Sequence, residues 1–131
     1  MNETPQAEKQ NNSAALPSFP QLVTLVSEAL LEKKAVEIKV LDVRSLTTLT
    51  DFFIICSGNS DTQIKALANN VTEKIKEQTG EQVWRKEGLG NKKWVVLDYV
   101  DVVVHIFNEE TRQFYALENM WNDAEITAIE E

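Results

Sequence analysis

The sequence predicts one α/β domain, a single mixed β-sheet of about five strands with helices packed on it. Three observations predict it. Apolar residues recur at helical spacing in three segments, while five others alternate or run apolar over strand lengths. These follow in the order helix, two strands, helix, three strands, helix. No repeat divides the 131 residues, which suit one domain able to bury roughly two-thirds of its unfolded surface without a metal or disulfide.

Residues 1–17 are Asn, Gln, Ala, Glu and Ser with two prolines, and read as a flexible tail. Residues 18–121 form the expected domain. The first helix is predicted over residues 20–34: Ser18 and Gln21 fit a capping box, Pro20 suits a first turn, and Leu22, Leu25, Val26, Ala29 and Leu30 make one stripe. Lys33 and Lys34 would close it. Residues 37–43 alternate as a strand. After a polar link, Asp51 to Ser57 (DFFIICS) is apolar on both faces, which predicts a central strand covered on both sides.

The second helix is predicted over residues 61–78, with Ser60 and Gln63 as a capping box, Ile64, Leu67, Ala68, Val71 and Ile75 as its stripe and Gly80 as its C-terminal cap. A third strand is predicted over residues 82–86, a turn at Gly88-Leu89-Gly90-Asn91, and strands over 94–99 and 102–108 joined tightly at Val100-Asp101. A last helix to Trp121 should place Phe114, Leu117 and Trp121 on one side. Residues 122–131 read as a frayed acidic tail.

With 13 Lys and Arg against 21 Asp and Glu, the net charge is −8. Residues 109–131 hold seven acids and one base, so −6 of that charge sits there. General nucleic-acid binding through phosphate neutralisation is excluded, any such footprint would be local, and a basic protein is the better electrostatic fit. No apolar run approaches the ~20 residues of a membrane span. A single cysteine, with neither a secretory nor an Arg-rich leader, points to the cytoplasm.

The chemistry-bearing residues are few. Cys56 lies in an apolar strand and reads as a small buried hydrophobe, although a helix begins four residues on. His105, the only histidine, is either a hydrogen-bonded sheet residue or part of a binding surface. Asp42, Asp51, Asp98 and Asp101 raise metal-assisted phosphoryl transfer, with SGNSD at 57–61 as a phosphate-holding turn. That chemistry needs two carboxylates one residue apart on a strand, and no Asp-x-Asp occurs. Neither a Walker lysine motif nor GxGxxG is present. No cofactor and no metal are expected. Aromatic residues crowd the C-terminal half, and exposed Trp and Tyr among acids is the composition of an interface. The expected interface comprises Trp94 as anchor, Glu87, Asp98 and Asp101 as acidic partners, and Tyr99 and His105 nearby.

VLDVRSLTTLTDFFIICSGNSDTQIKALA and EGLGNKKWVVLDYVDVVVHIFNEETRQFYALENMW resemble the Iojap family, the ribosomal silencing factors, across residues 20–121. The family usually has glycine before the aspartate of its LDYGD segment, where this chain has Val100. The resemblance implies a nucleotidyltransferase-like fold that has lost its catalytic carboxylates. It implies binding to the large ribosomal subunit through protein fourteen of that subunit, blocking joining of the small subunit and lowering translation when nutrients are scarce. It also implies that the free protein can form homodimers. The competing reading is a nucleotidyltransferase or nucleotide-binding enzyme on the same fold.

Overall fold

The computed structural model describes residues 18–130, so the tail expected over 1–17 lies outside the described residues. The chain runs α1 (Gln21–Glu32), β1 (Val36–Asp42), β2 (Phe52–Gly58), α2 (Asp61–Thr79), β3 (Arg85–Glu87), β4 (Trp94–Asp98), β5 (Val102–Asn108), α3 (Glu109–Tyr115), α4 (Leu117–Met120) and β6 (Glu125–Ala128). One mixed sheet has the order β3-β4-β5-β2-β1-β6.

β2 lies inside the sheet because neither of its faces tolerates water. It pairs in parallel with β5 along its whole length, from Phe52↔Val102 to Gly58↔Asn108, and antiparallel with β1. Five consecutive residues, Ile54 to Gly58, are buried. Its even-numbered residues Phe52, Ile54 and Cys56 meet α1 and α2 in a large core with Ile38, Val40, Leu97, Val104 and Ile106. Its odd-numbered side faces a smaller core of Leu41, Val43, Ile55, Phe107 and Leu117.

α2 is set by its caps. The Ser60 hydroxyl accepts from the Gln63 backbone N–H at 3.1 Å, and Gly80 closes the helix at φ 77°. Gln63 reaches further than a capping box requires. Its side-chain amide donates to the carbonyls of Lys33 and Lys34, at 3.1 and 2.9 Å, and so ties the start of α2 to the end of α1. At α1 the expected Ser18 cap is replaced by Pro20, with no side-chain hydrogen bond. Pro20 has a preset φ and no N–H to satisfy. Lys33 and Lys34 fall just past the helix, where Lys34 turns to φ 62°.

The C-terminal third departs from expectation twice. The last helix breaks at Ala116, which adopts φ 47°, ψ 54°. The cause is Arg112, buried at 6% exposure. Its guanidinium donates to Ser57 Oγ at 2.9 Å and the Val36 carbonyl at 3.3 Å, and pairs with Glu118 at 2.9 Å. A continuous helix would carry Glu118 past Arg112, since residues six apart do not share a helical face. The second departure is a sixth strand. Residues 125–128 are not frayed: β6 pairs antiparallel with β1, with Ile126 opposite Leu41, and the Ile129 N–H donates to the Ile38 carbonyl at 2.9 Å.

Ile54 is fully buried on β2. Ile54→Asp should destabilise the protein by on the order of 3 kcal/mol or more in urea denaturation, because a carboxylate there has no partner. An equally stable variant would contradict the placement of β2.

Candidate functional site: an aromatic cluster on the half-covered sheet face

Strand pleating and register decide which residues share the second face. Trp94, Val96 and Asp98 alternate along β4, and Trp94 lies opposite Phe107, Val96 opposite His105 and Asp98 opposite Val103. On β3, Glu87 lies opposite Val96 and Arg85 opposite Asp98. On β2, Phe53 lies beside Val103 and Ile55 beside His105. The first face is roofed by α1 and α2. This one is roofed only by the short α3–α4 segment, which leaves Phe53, Trp94, Val96, Asp98 and Val103 half-buried.

A diagonal hydrogen bond organises the cluster. The Trp94 indole Nε1–H donates to His105 Nδ1 at 3.0 Å. An indole N–H can only donate, so His105 Nδ1 carries no proton, and the neutral ring holds its proton on Nε2. Trp94 stacks on Phe107 with ring centres 5.0 Å apart, and Tyr115 lies over it at 4.7 Å. Phe53 bridges edge-on to His105 and Trp121, both at 5.2 Å. Burial holds the His105 pKa down, from 6.5 to about 4. Protonation would place a second N–H against the indole N–H and charge a buried site.

Beside Trp94, an open cleft of about 530 Å³ is lined by Lys93, Trp94, Glu110, Phe114 and Tyr115, among others. Phe114 is 80% exposed at its rim. The break at Ala116 turns Phe114 away from Leu117 and Trp121, which pack inward, so the single apolar side expected for the last helix is split.

Of the six expected interface residues, Trp94, Glu87, Asp98 and His105 come onto one face. His105 is buried under the indole rather than displayed. The Asp98 carboxylate caps the hairpin by accepting from the Val100 N–H at 2.8 Å. Asp101 is exposed in that turn, with Val100 at φ 75°. Tyr99 is separated from the rest: it is 3% exposed, in the core on the opposite face, because it follows Asp98 by one pleat. Phe114 and Tyr115 form an exposed rim beside Trp94 that an unbroken helix would not give.

Two of the residues considered for catalysis are buried or already paired. Cys56 is fully buried and its thiol is pushed up to about 12 by desolvation. Asp42 is engaged by Arg44 at 2.7 Å. Among the described residues, no group of three or more His, Cys, Asp or Glu could hold a metal ion, and no helix is long and apolar enough to cross a membrane.

A family model described as "Ribosomal silencing factor during starvation" matches residues 16–131. The chain belongs to the ribosomal silencing factor family. It is similar to the ribosomal silencing factor RsfS of Halalkalibacterium halodurans, 36% identical over 113 residues that cover 86% of this chain and 96% of the relative. It is also similar to the chloroplastic protein Iojap of Zea mays, 39% identical over 76% of this chain and 42% of that longer protein. A crystal structure of a Chromobacterium violaceum protein superposes with a TM-score of 0.75 at 38% identity, covering 78% of this chain and 84% of that one. The silencing-factor resemblance expected from the sequence is thus shown, and so is the mixed α/β fold.

The burial of His105 makes a pH prediction for this family member. The His105 pKa lies near 4 when folded and near 6.5 when unfolded, so the unfolded chain binds more protons between those values. The stabilisation is present above pH 6.5 and lost as pH falls towards 4. Because other groups titrate in the same range, the comparison is with His105→Gln. The stability advantage of the natural chain over this variant should shrink by about 2–3 kcal/mol between pH 7.5 and 4.5 in urea titrations. A constant advantage would rule out His105 as the titrating group.

Proposed function

We propose that the chain acts in the cytoplasm as a non-enzymatic translational repressor. It binds the large ribosomal subunit through protein fourteen of that subunit and sterically prevents joining of the small subunit, chiefly under nutrient limitation. Family membership supports the ribosome as target. The observation that carries the rest is the half-covered sheet face, where Trp94 sits at the mouth of an aromatic cleft with Glu87 and Asp98 on its own face. A basic protein surface complements such a patch. Steric blocking needs affinity and position alone, which agrees with a chain that has no Asp-x-Asp.

Trp94 is the proposed anchor, with Glu87, Asp98 and Asp101 as acidic contacts. His105 acts from beneath by fixing the indole, and Tyr99 supports the hairpin from the core. Phe114 and Tyr115 widen the contact. The same apolar rim would serve self-association of the free protein into a homodimer, which binding to the subunit would displace.

Trp94→Ala should weaken binding to purified large subunits at least thirtyfold, roughly 2 kcal/mol. The indole is also packed, so this variant loses stability too. Phe114→Ser removes only an exposed ring and should weaken binding about tenfold with an unchanged melting temperature. Normal binding by both folded variants would move the interface elsewhere. Glu87→Gln with Asp101→Asn should mainly slow association and flatten its salt dependence. Calorimetric titration with magnesium and ATP should give no saturable heat at micromolar protein; stoichiometric binding would instead favour the nucleotidyltransferase reading.

A further inference from the structure

Of the chain's 13 bases and 21 acids, four bases and one acid fall between Trp84 and Trp94, in WRKEGLGNKKW. That leaves nine bases against twenty acids elsewhere, so this hairpin is a basic island on an acidic protein. It is also an edge. β3 is the outermost strand of the sheet, and Arg85, Lys86 and Glu87 are all exposed. Trp84 precedes them at 63% exposure, with the Arg85 guanidinium 4.6 Å from its ring centre. The only acid in the segment, Glu87, approaches Arg85 no closer than 3.8 Å, a weak exposed pair.

The turn that presents the lysines is tightly determined. Gly88 adopts φ 85°, and its carbonyl accepts from the Lys92 N–H at 3.0 Å. A Cβ at Gly88 would lie 1.9 Å from the Trp94 carbonyl oxygen, so only glycine fits. Lys92 is held at φ 58°, and the Lys93 N–H donates to Asn91 Oδ1 at 3.0 Å. An exposed indole beside a guanidinium, with further cations on a fixed turn, matches the chemistry that grips nucleic-acid strands: a base stacks on the ring while the cations meet phosphates.

We infer that the β3–β4 hairpin, through Trp84, Arg85, Lys86, Lys92 and Lys93, is a local RNA-contacting element that grips ribosomal RNA beside the protein contact made at Trp94. The inference rests on the ribosome as target. β3 lies one strand, about 5 Å, outside β4, so docking at Trp94 brings the hairpin to whatever borders the bound protein. On a ribosomal subunit that border is largely RNA phosphate.

The test uses the full chain and two double variants, Arg85→Ala/Lys86→Ala and Lys92→Ala/Lys93→Ala, with Trp84→Ala as a third. Affinity for intact large subunits should fall about tenfold in each double variant, and the slope of log K against log salt should become shallower by about 1 or more. Affinity of the Arg85→Ala/Lys86→Ala variant, whose changes lie outside the cleft beside Trp94, for the isolated partner ribosomal protein should stay the same, and chemical footprinting should show rRNA protection lost. The natural chain should bind single-stranded RNA oligonucleotides weakly at low salt, and the variants should not. If the natural chain binds subunits and the variants match it in affinity, slope and footprint, the hairpin inference is overturned. Hairpin lysines that cross-link to ribosomal protein alone, or a basic edge that captures anionic lipid vesicles and not RNA, overturn it as well. If the natural chain ignores subunits yet its oligonucleotide binding depends on the hairpin, the proposed function fails and the RNA contact stands.

Discussion

Pairing β2 with β5 in parallel over seven residues is the constraint from which the rest of the architecture follows. Two parallel neighbours cannot be joined by a turn, so the chain between them must cross over, and here it uses α2 and then the β3–β4 hairpin. That detour places α2 on one face and extends the sheet on the far side of β5. Because β4 then returns antiparallel beside β5, Trp94 comes to the end of the sheet opposite Phe107 and diagonal to His105. The aromatic cluster is thus a consequence of how the central pair is closed.

The second constraint is Arg112. A buried guanidinium requires partners for its donors, and it finds them on β1, β2 and α4 at once. In doing so it fixes the corner at Ala116, which sends Leu117 and Trp121 into the smaller core while leaving Phe114 outside. The half-covered state of that face is therefore built in. α3 and α4 are seven and four residues long, too short to roof what the longer α1 and α2 cover on the other side.

How much was legible in the sequence depended on how local its cause was. The two-faced apolarity of DFFIICS announced a central strand, and Ser60, Gln63 and Gly80 announced both ends of α2, because burial and capping act within a few residues. The tight Val100-Asp101 connection was legible too, although it holds a β-branched residue at φ 75°, which Asp98 compensates by accepting the Val100 N–H. The break at Ala116 was not legible, since no glycine or proline marks it and its cause lies on β1 and β2, dozens of residues away. The strand at 125–128 escaped because the acids of residues 122–131 suggest solvation, while its stabilisation comes from hydrogen bonds to β1. The Trp94–His105 bond needs a cross-strand register that no sequence pattern states. Tyr99 is a different case: alternation from Trp94 already assigns it to the opposite face, and proximity in the sequence obscured that parity.

Charge and topology complete the account. The acids concentrate after β5, on and beyond the short helices, whereas the basic island sits on the hairpin at one sheet edge. Trp94 is the hinge between them, since it starts β4, closes the hairpin and lines the cleft beneath Phe114 and Tyr115. A surface of one sign would attract one kind of neighbour in any orientation. Two signs side by side, on elements held by the same sheet, select an orientation, because a basic protein and an anionic strand must then lie in a fixed order across the contact. For the proposed repression by occupying a place, orientation matters as much as affinity, and two signs held on one sheet would supply it.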